Sequence, residues 1–218
     1  MSLPSYIKAN NPPSGSGVPS GIIKSVRDAV GESNIVSFVI PTTNMPYSPP
    51  YDITTIVKWD GQWASAQSLD AYFQLEFKDR YVLPTFYSIK GKSGWQYVKE
   101  WRLYGFNEVG EAMTLISENT SVGSTFCSSG EYCPSDNWGT FQITKNVKPF
   151  RYFRLTIKTP SRSSEPFNTL RGFEIFGVYS SNIAALKTKK TYCFASYPYR
   201  SHLAAYVLLR LFTTCIAT

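Results

Sequence analysis

Histidine is almost missing from this chain: His202 is the only one in 218 residues, and it lies in a C-terminal stretch of distinct composition. The body therefore has no imidazole for a catalytic dyad, a triad or a histidine-ligated metal. The four cysteines include no CxxC pair. Cys127 and Cys133, in CSSGEYC, have no histidine near them, which argues against a zinc site. There is no glycine-rich phosphate loop, no serine-centred elbow and no HExxH pattern. Glu76 and Asp79 are close in sequence, but they read as exposed carboxylates at a strand end rather than as an acid and base pair. These absences point to a protein that is not an enzyme.

The N-terminus, MSLPSYIKANNPPSGSG, contains no apolar run of signal-peptide length. The expectation is a reducing, cytoplasmic location in which the cysteines are free thiols. Charge is also sparse, at 17% of residues, and unevenly placed. Of the net +7, five charges (Lys187, Lys189, Lys190, Arg200 and Arg210) fall after residue 178 with no acid among them, so the body carries only +2. The basic total is thus no sign of a nucleic-acid partner.

Aromatic residues (16%), 14 glycines and 14 prolines are plentiful, a balance that suits short strands and turns. Residues 1–33 read as an N-terminal arm, mobile over 1–19. A short helix follows, with Ile22, Ile23, Val26, Ala29 and Val30 on one stripe, Ser20 as N-cap and Gly31 beyond the end. From residue 34 to 179 the period becomes that of strands. NIVSFVIP, DITTIVKW, AYFQLEFKD, TFYSIKG, VKEWRLYGF, AMTLIS, GTFQIT, FRYFRLTIK and TLRGFEIFGVY follow one another across polar or Gly/Pro loops. AYFQLEFKD is the clearest of these, with Phe73, Leu75 and Phe77 facing one way.

RGFEIFGV opens as an RNA-binding RRM strand does, with Arg171, Gly172 and Phe173 in place. Glu174 and Val178 then break the motif, and no crossover helices separate the strands. An all-β, antiparallel sandwich or barrel is expected instead. In it this strand buries either Phe173 and Ile175 or, one residue out of register, Glu174 and Phe176. The first is preferred because an unpaired buried Glu is costly. Residues 180–218 differ in composition from the body. They read as a docking helix, a membrane-surface element, or a segment outside the fold such as an altered reading frame, the last being preferred.

Over about residues 50–179 the chain resembles a discoidin domain (coagulation factor V/VIII C-type), one of the galactose-binding-like jelly rolls. The likeness rests on four segments in order: WDGQWASAQSLDAYFQLEFKD; YVKEWRLYGFNEVGEAMTLIS, with Trp101, Leu103, Gly105 and Asn107 aligned; FRYFRLTIK; and LRGFEIFG. Phe106 departs from the family's Ser, and Glu108-Val109 enlarge a tight turn. Val178 stands where extracellular members close an end-to-end disulfide, which fits an intracellular copy. The resemblance implies an eight-stranded antiparallel jelly-roll β-sandwich working as a non-catalytic binding module through loops at one end. It also places Trp63 in the core, where strand alternation places Trp101.

The loops implied are 44–51, 63–70 and 91–97. They offer Met45 and Tyr47, then Gln67 and Ser68 beside Ser65 and Asp70, then Lys92, Trp95 and Gln96 beside Ser93. A ring flanked by Lys, Ser and Gln suits a sugar face or a lipid headgroup layer. Trp95 reads equally as an exposed anchor or as a lid on the core. Asp60 either caps a turn, the preferred reading, or joins backbone carbonyls around a Ca²⁺ ion, a site some members have. The His and Arg sugar clamp of fucose-binding members cannot form, since the body has no histidine. The expected partner is a carbohydrate or glycoconjugate. An intracellular protein partner is the alternative, and an anionic membrane surface reached through the basic tail is a weaker one.

Overall fold

A computed structural model of the chain describes residues 3–10, 18–46, 51–66, 68, 70–91, 98, 100–120, 138–159 and 167–187. The strand β4 (Tyr72–Phe77) shows why these residues fold as they do: Phe73, Leu75 and Phe77 are buried while Tyr72, Gln74 and Glu76 are half-buried on the other face. It pairs antiparallel with β2 (Val39–Thr43) and β9 (Tyr152–Thr159), setting Leu75 opposite Phe153 and Phe73 opposite Leu155. With β6 (Glu100–Phe106) and β7 (Thr114–Asn119) they form a five-stranded sheet in the order β2-β4-β9-β6-β7.

The facing sheet contains β1 (Tyr6–Ala9), β5 (Tyr81–Lys90), β8 (Trp138–Gln142) and β11 (Gly172–Ser180), in the order β1-β11-β5-β8. A separate ribbon pairs β3 (Trp63–Ala66) with β10 (Phe167–Leu170). The antiparallel jelly-roll sandwich expected from the sequence is what forms. Nine strands make its two sheets, one more than the eight expected because β1 joins the edge of β11, and β3 and β10 form the separate ribbon.

The sheets meet through a run of rings. Trp63 packs edge-on against Phe73 (5.5 Å), Phe73 against Phe173 (5.4 Å), Phe173 stacks on Tyr87 (6.1 Å), Tyr87 on Phe141 (5.2 Å), and Phe141 meets the edge of Trp101 (5.0 Å). Trp63 and Trp101 are fully buried core residues, as expected. The Trp101 indole N–H donates to the Tyr87 hydroxyl (2.9 Å), which shares a further bond with Ser117 (3.1 Å). Replacing Tyr87 by Phe removes the hydroxyl that accepts this buried indole N–H, so it should cost about 2 kcal/mol in urea unfolding. A loss under about 0.5 kcal/mol would show that the indole finds another acceptor.

β11 is buried at all nine positions because both of its faces are covered. Its inner face gives Phe173 and Ile175 to the sandwich core, in the preferred register. Its outer face lies under the helices α1 (Ile22–Val30), α2 (Thr55–Lys58) and α3 (Ile183–Lys187). The choice between registers is therefore too simple: Glu174 is fully buried as well, and backbone N–H groups offset part of the expected penalty. After Phe176 the register with β5 shifts, Gly177 standing opposite Pro84. Gly177 has φ +141°, where a side chain is strained, and a β-carbon there would lie 2.0 Å from the Leu83 carbonyl oxygen.

Three local expectations are corrected. The arm read as mobile contains β1, because its alternation buries Ile7 and pairs the otherwise open edge of β11, from Tyr6 opposite Ser180 to Ala9 opposite Gly177. DITTIVKW is not a strand. The Asp52 carboxylate accepts the Thr54 N–H (2.9 Å) and bonds its hydroxyl (2.6 Å), starting a turn that leads into α2 with consecutive Ile56 and Val57 buried. The same bonds hold the Asp52 pKa below the usual carboxylate range. The helix stripe is as expected, but the N-cap of α1 is Gly21 rather than Ser20, and it has no side-chain cap of its own. In the tail, Leu186 of α3 is buried against Leu83 and Val178, while 188–218 lie outside the described residues.

Candidate functional site

Trp59 is the C-cap of α2, in the left-handed region at φ 62°, with its N–H donating to the Thr55 carbonyl (2.7 Å). A bulky residue seldom adopts this conformation, and here it is fixed on several sides. The indole N–H donates to the Phe173 carbonyl (3.1 Å). Arg27, from the last turn of α1, lays its guanidinium over the ring at 4.1 Å and donates through Nη1 to the Lys58 carbonyl (2.6 Å). Trp138, the first residue of β8, meets Trp59 edge-on at 5.1 Å. Two indoles and a guanidinium are thus held in place with several guanidinium N–H donors uncommitted to the Lys58 carbonyl.

They line a cleft of about 610 Å³, shared with Asp28, Glu32, Lys58, Asp60 and Lys90. Its charged residues are three cations (Arg27, Lys58, Lys90) and three carboxylates (Asp28, Glu32, Asp60), so the lining has no net charge. One carboxylate, Asp28, is occupied by the Lys24 ammonium at 2.6 Å. Tyr72 starts β4 and Lys90 ends β5, the next strand across the turn at 78–80, so the cleft lies at the end of the sandwich where the loops before β4 also lie.

Beneath the wall formed by α1 sits Glu174. Its Oε1 accepts the N–H groups of Ile23 (2.8 Å) and Ile175 (2.8 Å), and its Oε2 accepts that of Lys24 (2.9 Å). The carboxyl caps the first turn of α1 from a strand 150 residues away, doing what an N-cap side chain ordinarily does. Gly21 makes room for it: a β-carbon there would lie 2.4 Å from the Glu174 carboxyl carbon. Burial raises the Glu174 pKa, and the N–H groups of Lys24, Ile175, Ile23 and Gly21 pull it back, leaving it at about 7 against an ordinary 4.5. The folded protein therefore holds a proton that the unfolded chain releases above about pH 4.5. The stability linked to it is fully present below that pH and is lost as pH rises through about 7.

Of the residues picked from the sequence, Met45 is exposed (37%) and Ser68 half-buried, and neither lines the cleft. Their loops are nonetheless joined. Asn44 donates to the Asp70 carbonyl (3.2 Å) and accepts the Tyr72 N–H (2.8 Å), and Pro46 pairs with Ser65. Ser65 is fully buried, which removes it as a surface ligand, and Asp70 is bonded to Lys158 (2.9 Å). Tyr47, Gln67, Lys92, Ser93, Trp95 and Gln96 lie outside the described residues. Asp60 lines the cleft, and among the described residues no three His, Cys, Asp or Glu side chains converge as a metal site.

No family model and no curated protein matches the chain. Among solved structures it is similar to the Clostridium perfringens module CpGH89CBM32-5, in complex with GalNAc-β-1,3-galactose (13% identity, 67% of this chain and 97% of that one, TM-score 0.48). It is also similar to the family 32 CBM of C. perfringens NanJ in complex with galactose (8%, 69% and 97%, TM-score 0.48). A third is an f-lectin (fucolectin) from Morone saxatilis serum (11%, 66% and 48%, TM-score 0.48). Likeness this distant does not carry a ligand across; the sandwich itself stands on the strand order and register.

Proposed function

We propose that the chain is a non-catalytic binding domain that takes a neutral carbohydrate in the Trp59–Trp138 cleft. The observation that carries this is the pairing of a fixed indole wall with equal numbers of cationic donors and anionic acceptors. A sugar presents an apolar C–H face beside hydroxyls that both donate and accept, and it needs such a mixed lining. A polyanion such as nucleic acid needs a net positive one. The galactose- and GalNAc-containing complexes named above are of the same ligand class, and the loop bearing Trp95 follows Lys90 in sequence by only a few residues.

The test is a glycan array probed with the full chain and with Asp60→Ala, Lys90→Ala and Trp95→Ala variants. Asp60 is exposed, so its loss should leave the fold intact. Selective retention that falls about tenfold in Asp60→Ala and Lys90→Ala, the effect of one hydrogen bond to a charged group, is the expected result. Retention lost in Trp95→Ala alone would move the site to the 91–97 loop. A blank array from folded protein would contradict sugar binding and turn attention to protein partners.

A further inference from the structure

We propose that Glu174 is the positioning residue of the cleft: capping α1 from inside the fold, it holds the wall that carries Arg27 and Asp28, and its charge state sets how firmly that wall stays closed. The reading that the cleft is the ligand site underlies this inference, but the latch itself is a property of α1 and β11.

The geometry is specific. α1 has no side-chain cap of its own and no acidic residue in its first turn, so Glu174 is the acceptor for the N–H groups of Ile23 and Lys24. Four residues after Ile23, on the same helix, Arg27 reaches Trp59 and the Lys58 carbonyl. Movement of α1 away from β11 would therefore lift the guanidinium off the indole and open the cleft on that side. Gly21 and Glu174 fit one another closely enough that no side chain on residue 21 could stand in for the carboxyl.

The charged groups on the elements around Glu174 do not neutralise it. Lys8 is on β1, Lys58 on α2 and Lys90 on β5, while on α1 Lys24 is paired with Asp28 and Arg27 is turned to Trp59. On β5 the residue opposite Glu174 is Ser88, whose hydroxyl bonds Thr140 (2.7 Å). What acts on the carboxyl is burial together with backbone N–H groups. An anion here is solvated by peptide dipoles alone, so an opening of α1 that lets water reach the carboxylate becomes less costly as pH rises from about 4.5 to about 7.

Hydrogen exchange on the full chain tests this without any ligand. The amides of residues 23–30 are followed from pH 5 to 8 against those of β4, after correction for intrinsic exchange, in wild type and in Glu174→Gln. Acrylamide quenching of tryptophan fluorescence is read in parallel. The expected result is that protection of α1 in the wild type falls between one and two orders of magnitude across this range, with quenching rising in step. In Glu174→Gln, which cannot ionise, both should be flat with pH.

Protection of α1 that does not change with pH in the wild type overturns the proposal, and this holds even if the variant does not fold. A pH dependence that persists in a folded Glu174→Gln protein also overturns it. A blank glycan array combined with a pH-dependent α1 would sink the sugar reading and leave the latch standing.

Discussion

Glu174→Ala is expected to lose about 4 kcal/mol of folding stability, most of what a marginally stable domain has. Truncation strands the N–H donors of Ile23, Lys24 and Ile175 in a site from which water is excluded, and it leaves a cavity between β11 and α1. Each buried orphan donor costs on the order of 1–3 kcal/mol, and relaxation of the α1 N-terminus recovers part of the sum. Urea unfolding at pH 5.5 is the appropriate measurement, since there the wild-type carboxyl is mostly protonated and its contribution largely present. A loss below about 1 kcal/mol would mean that α1 finds other acceptors and that Glu174 does not cap it.

Gly177→Ala should be comparably damaging for a different reason. The obstacle is backbone: the added β-carbon meets the Leu83 carbonyl oxygen at 2.0 Å, and φ +141° is a conformation that alanine does not adopt without strain. Relief requires separating β11 from β5 at the point where their register shifts, and β11 is the strand both layers pack on. A loss of about 4 kcal/mol is expected, corresponding to a fall in Tm of about 12 °C. A variant melting within about 2 °C of wild type would show that the bulge can be rebuilt.

The sandwich was legible because its signal is local and repeated. The alternation of Phe73, Leu75 and Phe77 is visible in six residues, and Trp101 occupies an inward position of its strand. Strand β1 and helix α2 were not legible for opposite reasons. Tyr6–Ala9 is too short to show a period amid Pro, Ser and Asn, and its place depends on an edge of β11 that exists only after folding. In DITTIVKW the alternation is present, yet the bonds from Asp52 to Thr54 turn the chain before it can act.

The site was harder to read than the fold. Trp59 lies at the end of that misread segment, Trp138 follows the long stretch 121–137, and Arg27 lies off the apolar stripe of its helix and belongs to no motif. Only the folding of α1, α2, β8 and β11 onto one another brings them together. Glu174 was noticed in RGFEIFGV but given the wrong environment. A strand-by-strand reading prices a buried carboxylate as unpaired, whereas its partners are backbone groups supplied by a helix 150 residues earlier.

The most direct test of the central claim is a titration of ¹⁵N-labelled full chain with the glycan that ranks first on the array, following the indole and Arg Nε resonances. Cleft binding predicts saturable shifts at the Trp59 and Trp138 indoles and at Arg27, with the buried Trp63 and Trp101 indoles unmoved. Shifts confined to the outer face of the five-stranded sheet, around Tyr72 and Arg154, with Trp59 and Trp138 silent, would contradict it.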